Sequence, residues 1–182
     1  KYTMKAWAII PAAGYGKRMD GGLPKQYRLV AGQPVILHTL RSLQKLPDIA
    51  GFMVGLAPND HCWSAVPGLI DKPVITCEGG ATRADTILRC LEALHHAGEE
   101  DDAWVVIHDA VRPCLDVKDL KRVLTVGTSS DHGAVMALPV TDPLKRAGPG
   151  GGDIIQTQVP GDLWLAQTPQ VFRLKLLRAA LI

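Results

Sequence analysis

The chain has 182 residues, of which 47% are hydrophobic and 21% are charged. This composition excludes an intrinsically disordered chain, which combines low hydrophobicity with high net charge, and the length fits one domain over residues 1–182. Twenty basic against eighteen acidic residues leave a net charge of +2, too small for the broad basic surface that binds nucleic acid or a membrane. We therefore expect a soluble globular protein that binds neither, and whose anion sites are local clusters of charge.

Short β-like segments alternate with longer helix-like segments along the chain, which predicts parallel strands joined by crossover helices. Segments rich in Val, Ile or Ala predict five parallel strands, at 6–11, 51–57, 73–77, 103–108 and 133–139. Apolar residues at helical spacing predict helices over 34–45 and 81–96. Asp116 can cap a third helix that continues through Leu124, and a last helix is predicted over 172–182. The expected architecture is α/β, a mainly parallel twisted sheet with helices on both faces.

The composition changes between Thr141 and Asp162, where proline and glycine surround a short β-like segment at 153–159. Two extended pieces around a glycine-rich turn predict a β-hairpin that protrudes as an arm. An arm of this kind needs another surface to pack on, so we expect residues 141–162 to mediate homodimerisation. The last helical pattern reaches Ile182 without a glycine or proline stop signal, so we expect the natural chain to have a further C-terminal part.

The cysteines indicate the redox environment. Cys62, Cys77, Cys90 and Cys114 form no Cys-x-x-Cys pair, so their spacing supports neither a zinc site nor a redox motif. Unpaired cysteines in a chain of this length predict reduced thiols and a cytoplasmic location. The apolar segment 6–10 is too short for a signal peptide, and no stretch approaches the ~18 apolar residues of a membrane helix.

A glycine-rich loop with clustered basic residues directly follows the first predicted strand. Small residues let backbone N–H groups approach phosphate oxygens, and Lys17, Arg18 and Lys25 bring positive charge to the same loop. The loop lacks the third glycine of the dinucleotide fingerprint and the Gly-Lys-Ser/Thr of the P-loop. It predicts a different nucleoside-triphosphate site, formed by Pro11, Ala12, Ala13, Gly14 and Gly16.

The fourth predicted strand delivers an acid and an arginine at its carboxyl end, where open α/β sheets bind ligands. Asp109 can hold Mg²⁺ together with phosphate oxygens, and Mn²⁺ would accept the same ligands. Arg112 can bind a phosphate group through two hydrogen bonds. The histidine between strand and acid, His108, is expected to be packed or capped rather than a ligand.

A Gly-Gly turn opens the predicted helix over 81–96. The backbone amides at this helix start, together with Ala81 and the hydroxyl of Thr86, can contact the edge of a base beside Gly80. Taken alone, this turn does not distinguish a binding site from an ordinary helix start.

Five motifs follow one another in an order typical of one enzyme family. They are Pro-Ala-Ala-Gly-x-Gly at 11–16, Pro-Lys-Gln-Tyr at 24–27, Gly-Gly with Arg-Ala-Asp at 79–85, His-Asp-Ala-Val-Arg-Pro at 108–113 and Gln-Thr-Pro-Gln at 167–170. In this order they resemble the 2-C-methyl-D-erythritol 4-phosphate cytidylyltransferases of the non-mevalonate isoprenoid pathway, over residues 6–172. The resemblance implies a Rossmann-like nucleotidyltransferase fold with a protruding β-arm.

The resemblance also implies substrates and residue roles. CTP would bind on the loop over 12–25, with its cytosine near Gly80, Ala81 and Thr86, and Mg²⁺ would sit on Asp109. The phosphate of methylerythritol phosphate would attack the α-phosphorus and release pyrophosphate. Arg18 and Lys25 would be the catalytic residues that compensate negative charge on that phosphorus, and Arg112 would help to hold the acceptor.

Two other functions stay open. Where the family has a threonine and an Asp-Arg pair in its arm, close to the acceptor phosphate, this chain has Pro143 and Val159-Pro160. A related cytidylyltransferase with another acceptor, such as a pentitol phosphate, is therefore one alternative. The other is a non-catalytic nucleotide-binding module, against which stand the four retained charged residues Arg18, Lys25, Asp109 and Arg112.

Overall fold

The computed structural model describes residues 5–14, 22–66 and 70–182. The strands in these ranges are β1 Ala6–Ala12, β2 Leu29–Val30, β3 Gln33–Pro34, β4 Ile49–Leu56, β5 Val74–Glu78, β6 Trp104–Ile107, β7 Ala134–Pro139, β8 Leu144–Ala147, β9 Ile154–Gln158 and β10 Trp164–Arg173. Six of them form one sheet in the order β5-β4-β1-β6-β10-β7, while β2 pairs with β3 and β8 with β9. The large sheet positions the candidate site.

The helices of the described ranges are α1 Val35–Gln44, α2 Arg83–His96, α3 Val117–Thr128 and α4 Leu174–Leu181. Local side chains fix where two of them begin. At α2, Thr82 and Asp85 accept hydrogen bonds from each other's backbone N–H groups, which is a capping box. At α3, the Asp116 carboxylate accepts from the Lys118 N–H at 2.7 Å, as the sequence predicts. No helix of the described ranges is long and apolar enough to cross a membrane.

Helices cover both faces of the sheet because neighbouring strand residues point to opposite sides. On one face, α1 and α3 pack on alternate residues of the central strands, among them Ala8, Ile10, Phe52 and Val106. On the other face, α2 and the start of α4 pack on the residues between them, Ile9, Met53, Val105 and Ile107. All eight strand residues are at most 1% exposed, so the expected α/β layering is confirmed.

Besides the five predicted parallel strands, the sheet contains one strand that runs in the opposite direction. The five predicted strands do run in one direction, but β10 lies antiparallel between β6 and β7. The same strand corrects the start of the last helix, which begins at Leu174 and not at Phe172, because Phe172 pairs with Val105 in the sheet. The sequence of β10 is interrupted by Pro169, and a proline in a run argues against a central strand.

The predicted hairpin arm is present as β8 and β9. The two strands pair from Leu144 opposite Gln158 to Ala147 opposite Ile154, and every residue in both strands is exposed. Gly150 and Gly151 have φ angles of 94° and 81° in the turn, a backbone region that favours glycine. The hairpin therefore extends away from the core.

Gly55 in β4 lets α2 approach the sheet closely. A Cβ atom at this position would lie 2.5 Å from Cγ2 of Thr86 and 2.9 Å from Sγ of Cys90, so both side chains would have to move. We expect Gly55→Ala to lower the free energy of unfolding by about 1–3 kcal/mol, the usual cost of overpacking a core. Urea unfolding measures it, with Gly161→Ala as the control, since a Cβ there meets no atom within 4 Å. Equal stability of the two variants would contradict this close packing.

Candidate active site

A cavity of about 230 Å³ opens at the carboxyl ends of β1 and β6 and at the start of α2. The structure brings most of the predicted site residues to its wall, namely Pro11, Ala12, Ala13, Gly14, Lys25, Gly80, Ala81, Thr86 and Asp109. Arg112 reaches the site through its contact with Asp109. Gly16 and Arg18, also predicted from the sequence, lie outside the described residues.

Gln26 fastens the loop that carries Lys25 to the end of β1. Its side chain is 2% exposed, and its Nε2 donates a hydrogen bond to the Ala12 carbonyl at 2.7 Å. The neighbouring Tyr27 hydroxyl donates to Oδ2 of Asp60 at 2.6 Å, and burial raises the pKa of Tyr27, so it remains a donor. Sequence reasoning missed Gln26, because nothing in the motif around it shows that this polar side chain is buried.

The Gly-Gly turn lies tightly between the first loop and α2. A Cβ atom on Gly79 would lie 2.4 Å from Cβ of Ala13, and one on Gly80 would lie 2.3 Å from Cβ of Asp85. Any larger side chain would push the turn away from these neighbours. Gly79 therefore sets how closely the turn approaches the Ala12–Gly14 loop, and Gly80 sets how closely it approaches the first turn of α2.

The hydroxyl of Thr86 holds this turn in place. It accepts a hydrogen bond from the Gly80 N–H at 3.1 Å and donates to the Thr82 carbonyl at 2.9 Å, and the residue is 2% exposed. The hydroxyl hydrogen predicted to contact a base is thus already engaged within the protein. The geometry makes Thr86 a positioning residue for the Gly80 backbone.

We expect Thr86→Val to lower the free energy of unfolding by about 1–3 kcal/mol, because it leaves the partly buried Gly80 N–H without its acceptor while conserving shape. Thr86→Ser keeps the hydroxyl and is the matched control. Urea unfolding of both variants measures the difference. Valine and serine variants of equal stability would show that the hydroxyl does not hold the turn.

Asp109 lies between two arginines at the end of β6. Arg83 Nε donates to Oδ1 at 2.9 Å and Arg112 Nε donates to Oδ2 at 3.0 Å, and Arg112 also donates to Oε1 of Gln167. Two guanidinium groups and one carboxylate leave a net positive charge, to which Lys25 adds on the same wall. Such a cluster favours phosphate groups. Arg83 belongs to a motif seen in the sequence, but its contact with Asp109 joins residues 26 positions apart.

The loop after β6 is held from inside the fold. His108 is 1% exposed and its Nε2–H donates to the Arg112 carbonyl at 2.9 Å. Burial lowers the pKa of His108, so the ring stays neutral and packed, as the sequence predicts. From the other side, the Asp109 N–H donates to Oγ1 of Thr168 in β10 at 3.3 Å.

A second, wider cavity of about 450 Å³ lies on the other side of this loop. It is lined by Arg112 and by residues of α3, β7 and β10, among them Asp119, Met136, Gln167 and Thr168. Arg112 thus stands between the two cavities, bonded to Asp109 and facing the wider one. From this position Arg112 can bind an anionic group in the wider cavity and hold it next to a ligand in the first cavity.

The donor atoms at the site fit a divalent ion that is shared with a ligand. Among the described residues, no group of three or more His, Cys, Asp or Glu side chains could hold a metal ion, and Asp109 is the acid of the first cavity. Mg²⁺ is typically bound by one or two carboxylates plus substrate phosphates and water. The residues present therefore fit Mg²⁺ only in company with bound phosphate oxygens.

The sheet order, the Ala12–Gly14 segment and the basic cluster at the carboxyl edge are those of a Rossmann-like nucleotidyltransferase fold. The chain belongs to the family of 2-C-methyl-D-erythritol 4-phosphate cytidylyltransferases, abbreviated IspD, whose model matches residues 6–182. The protein of that name from Xanthomonas axonopodis pv. citri is 48% identical over 171 residues, which are 94% of this chain and 64% of the relative. The chain thus spans about 64% of the length of this curated relative.

Solved structures agree with this assignment. A crystal structure of 4-diphosphocytidyl-2C-methyl-D-erythritol synthase superposes with a TM-score of 0.84 at 31% identity, and covers 98% of this chain and 79% of that one. The 2-C-methyl-D-erythritol 4-phosphate cytidylyltransferase from Thermus thermophilus gives 0.74 at 32% identity, with 98% and 75% covered. The predicted family and fold are therefore confirmed.

Proposed function

We propose that this protein transfers CMP from CTP to 2-C-methyl-D-erythritol 4-phosphate and releases pyrophosphate, as its family's name describes. The observation that carries the proposal is the cavity in which the Ala12–Gly14 loop, the Gly80–Ala81 turn, Lys25 and Asp109 meet. It combines closely approached backbone with positive charge, which a nucleoside triphosphate requires. Membership of the family supports the choice of CTP and of the acceptor.

The nucleotide would occupy the first cavity. Its base would lie against the backbone at Gly80 and Ala81, at the N-terminus of α2, and its phosphates would lie along the Ala12–Gly14 loop beside Lys25. The α-phosphorus then faces Asp109 and Arg112, and Arg112 adjoins the wider cavity. An acceptor phosphate held by Arg112 would therefore approach the α-phosphorus from that side.

The reaction is a single displacement at phosphorus. An oxygen of the acceptor phosphate forms a new bond to the α-phosphorus, while the bond from this phosphorus to the pyrophosphate oxygen breaks. Negative charge spreads over the phosphoryl oxygens, and preorganised cations stabilise it. Lys25 and Arg18 supply this charge, and neither a covalent enzyme intermediate nor any of the four cysteines takes part.

A divalent ion would be held by Asp109 together with phosphate oxygens of CTP. When bound, Mg²⁺ neutralises charge on the phosphates, and Mn²⁺ could replace it because it accepts the same ligands. Both carboxylate oxygens of Asp109 accept hydrogen bonds from arginines. Each of these oxygens has a further lone pair, so the carboxylate could hold the ion while it keeps both arginines beside the phosphates.

The same proposal places the enzyme in the cytoplasm. It also assigns homodimerisation to the arm over residues 141–162. Ile154, Ile155 and Val159 are 63%, 61% and 74% exposed, and apolar side chains in a protruding hairpin are suited to a second copy of the chain. The arm also carries the departures from the family's pattern, Pro143 and Val159-Pro160. A related acceptor such as a pentitol phosphate therefore stays the second candidate, because the resemblance implies that the acceptor contacts come from this part of the chain.

Pyrophosphate release tests the proposal. The protein is incubated with Mg²⁺, with each of CTP, UTP, ATP and GTP, and with methylerythritol phosphate or a pentitol phosphate. Release with CTP and methylerythritol phosphate alone is the expected result. Release with CTP and the pentitol phosphate would assign the other acceptor, whereas CTP binding without release from any pair would indicate a nucleotide-binding module.

A further inference from the structure

Two cysteines that are 13 positions apart meet behind the Gly-Gly turn. Sγ of Cys77 in β5 lies 3.5 Å from Sγ of Cys90 in α2. Cys90 is completely buried, whereas Cys77 is half-buried. One thiol of the pair can therefore meet a small solute while the other is shielded, an arrangement that neither Cys62 nor Cys114 shares.

The surroundings favour reaction at Cys77. The hydrogen bond from the Cys90 thiol lowers the pKa of Cys77, and the positive charge of Arg89 acts in the same direction, against the effect of burial. The Arg89 guanidinium is fixed beside the pair, since it donates to the Gly79 carbonyl at 2.9 Å and to Glu78 at 3.1 Å. A thiolate is the form that attacks oxidants, so the accessible sulfur is also the more reactive one.

We propose that Cys77 and Cys90 are a reversible oxidation site, at which a peroxide converts the two thiols to an intramolecular disulfide. The Cys77 thiolate attacks one peroxide oxygen, the O–O bond breaks, and Cys77 becomes a sulfenic acid as hydroxide leaves. Sγ of Cys90 then attacks Sγ of Cys77, the S–O bond breaks, and the hydroxyl leaves as water with the Cys90 proton. The two electrons lost by the sulfurs reduce the peroxide, and a dithiol reductant reverses the change.

The disulfide would act on the nucleotide cavity. A disulfide bond is about 2.05 Å long, so the two sulfurs must approach each other by about 1.5 Å. Cys77 stands two residues before Gly79, and Cys90 lies one helical turn after Thr86, which holds Gly80. Because the turn has no spare room against Ala13 and Asp85, movement of β5 or α2 is transmitted to it.

The expected size of this effect is a roughly tenfold loss of affinity for CTP, which lies within the usual range of coupling between sites. This part of the inference rests on the proposed function. The formation of the disulfide does not, so the two are tested separately.

The first experiment detects the bond itself. The chain with Cys62→Ser and Cys114→Ser retains only the pair, and it is treated with hydrogen peroxide, digested without reduction and mapped by mass spectrometry. We expect one peptide that joins residues 77 and 90, two thiols protected from alkylation, and full return of both with dithiothreitol. Adding Cys77→Ser, a conservative change at the half-buried position, should abolish the joined peptide. Two free thiols after treatment, a disulfide between chains, or sulfinic acid on Cys77 would overturn the oxidation site.

The second experiment measures the binding of CTP with Mg²⁺ to the same Cys62→Ser, Cys114→Ser protein, reduced and oxidised, by calorimetry. We expect weaker binding after oxidation and recovery with dithiothreitol, and no response to peroxide in the Cys77→Ser variant. Equal affinity of both forms would overturn the coupling. If the reduced protein does not bind CTP, it is the proposed function that fails, and the disulfide is judged on the first experiment alone.

Discussion

The Asp109→Asn variant should lose CMP transfer by roughly 10³-fold while it keeps its fold. The carboxylate accepts hydrogen bonds from Arg83 and Arg112, and under the proposed mechanism it also holds the divalent ion beside the phosphates. An asparagine has one acceptor oxygen and no charge, so it cannot hold both arginines and an ion. Removal of one preorganised electrostatic contact at an active site typically costs 10²–10³ in rate, and this change removes several together.

Stability should hardly change, because both arginine side chains are nearly half-exposed and exposed ion pairs contribute little to folding. The control is Asp101→Asn. Asp101 also faces an arginine, Arg178 at 3.5 Å, but it precedes β6 at the opposite edge of the sheet from Asp109. Steady-state pyrophosphate release and thermal unfolding are measured for both variants. Near-normal turnover of Asp109→Asn would refute the metal role, and a fold lost in that variant alone would make the residue structural.

The Lys25→Ala variant should show turnover reduced by about 10²–10³-fold, with a much smaller loss of CTP affinity. The proposed role of Lys25 is to meet charge that develops on the α-phosphoryl group, and a contact made in the transition state affects the rate more than ground-state binding. The lysine is placed by the buried amide of Gln26, the next residue. Arg18→Ala is expected to behave in the same way.

Single-turnover rates at saturating CTP and a separate binding measurement distinguish rate from affinity. Lys45→Ala is the matched control, because Lys45 is an exposed lysine at the end of α1, away from the cavity. If Lys25→Ala binds CTP more weakly and turns over at the normal rate, Lys25 is a binding residue and its transition-state role is refuted.

The layered α/β fold could be predicted because its signals are local. Apolar strand segments, helical spacing and the cap at Asp116 each depend on residues close in sequence. The position of β10 could not be found in this way. Its pairing with β6 depends on contacts such as Phe172 with Val105, and no local pattern indicates which strand edge a distant segment will join.

The residues of the candidate site likewise fall into two groups, those that the sequence indicates and those that only the structure reveals. Small residues after a strand, an acid at a strand end and clustered cations are visible in the sequence, so Gly14, Lys25 and Asp109 could be proposed from it. The sequence did not indicate the roles of Gln26 and Arg83, which position these residues. Their hydrogen-bond partners lie 14 and 26 positions away in the chain. The same limit hid the contact between Cys77 and Cys90, which share no motif.

The β8–β9 hairpin and the strand that follows it, β10, differ in how well they tolerate substitutions. Every side chain of the β8 and β9 strands is exposed, so substitutions in this hairpin can alter what the arm contacts without repacking the interior. Residues 167–171 of β10 have no such freedom, since Gln167 and Thr168 contact the Asp109 loop and Val171 is fully buried. A library intended to change the acceptor or the assembly would therefore vary the hairpin and leave this short strand segment constant.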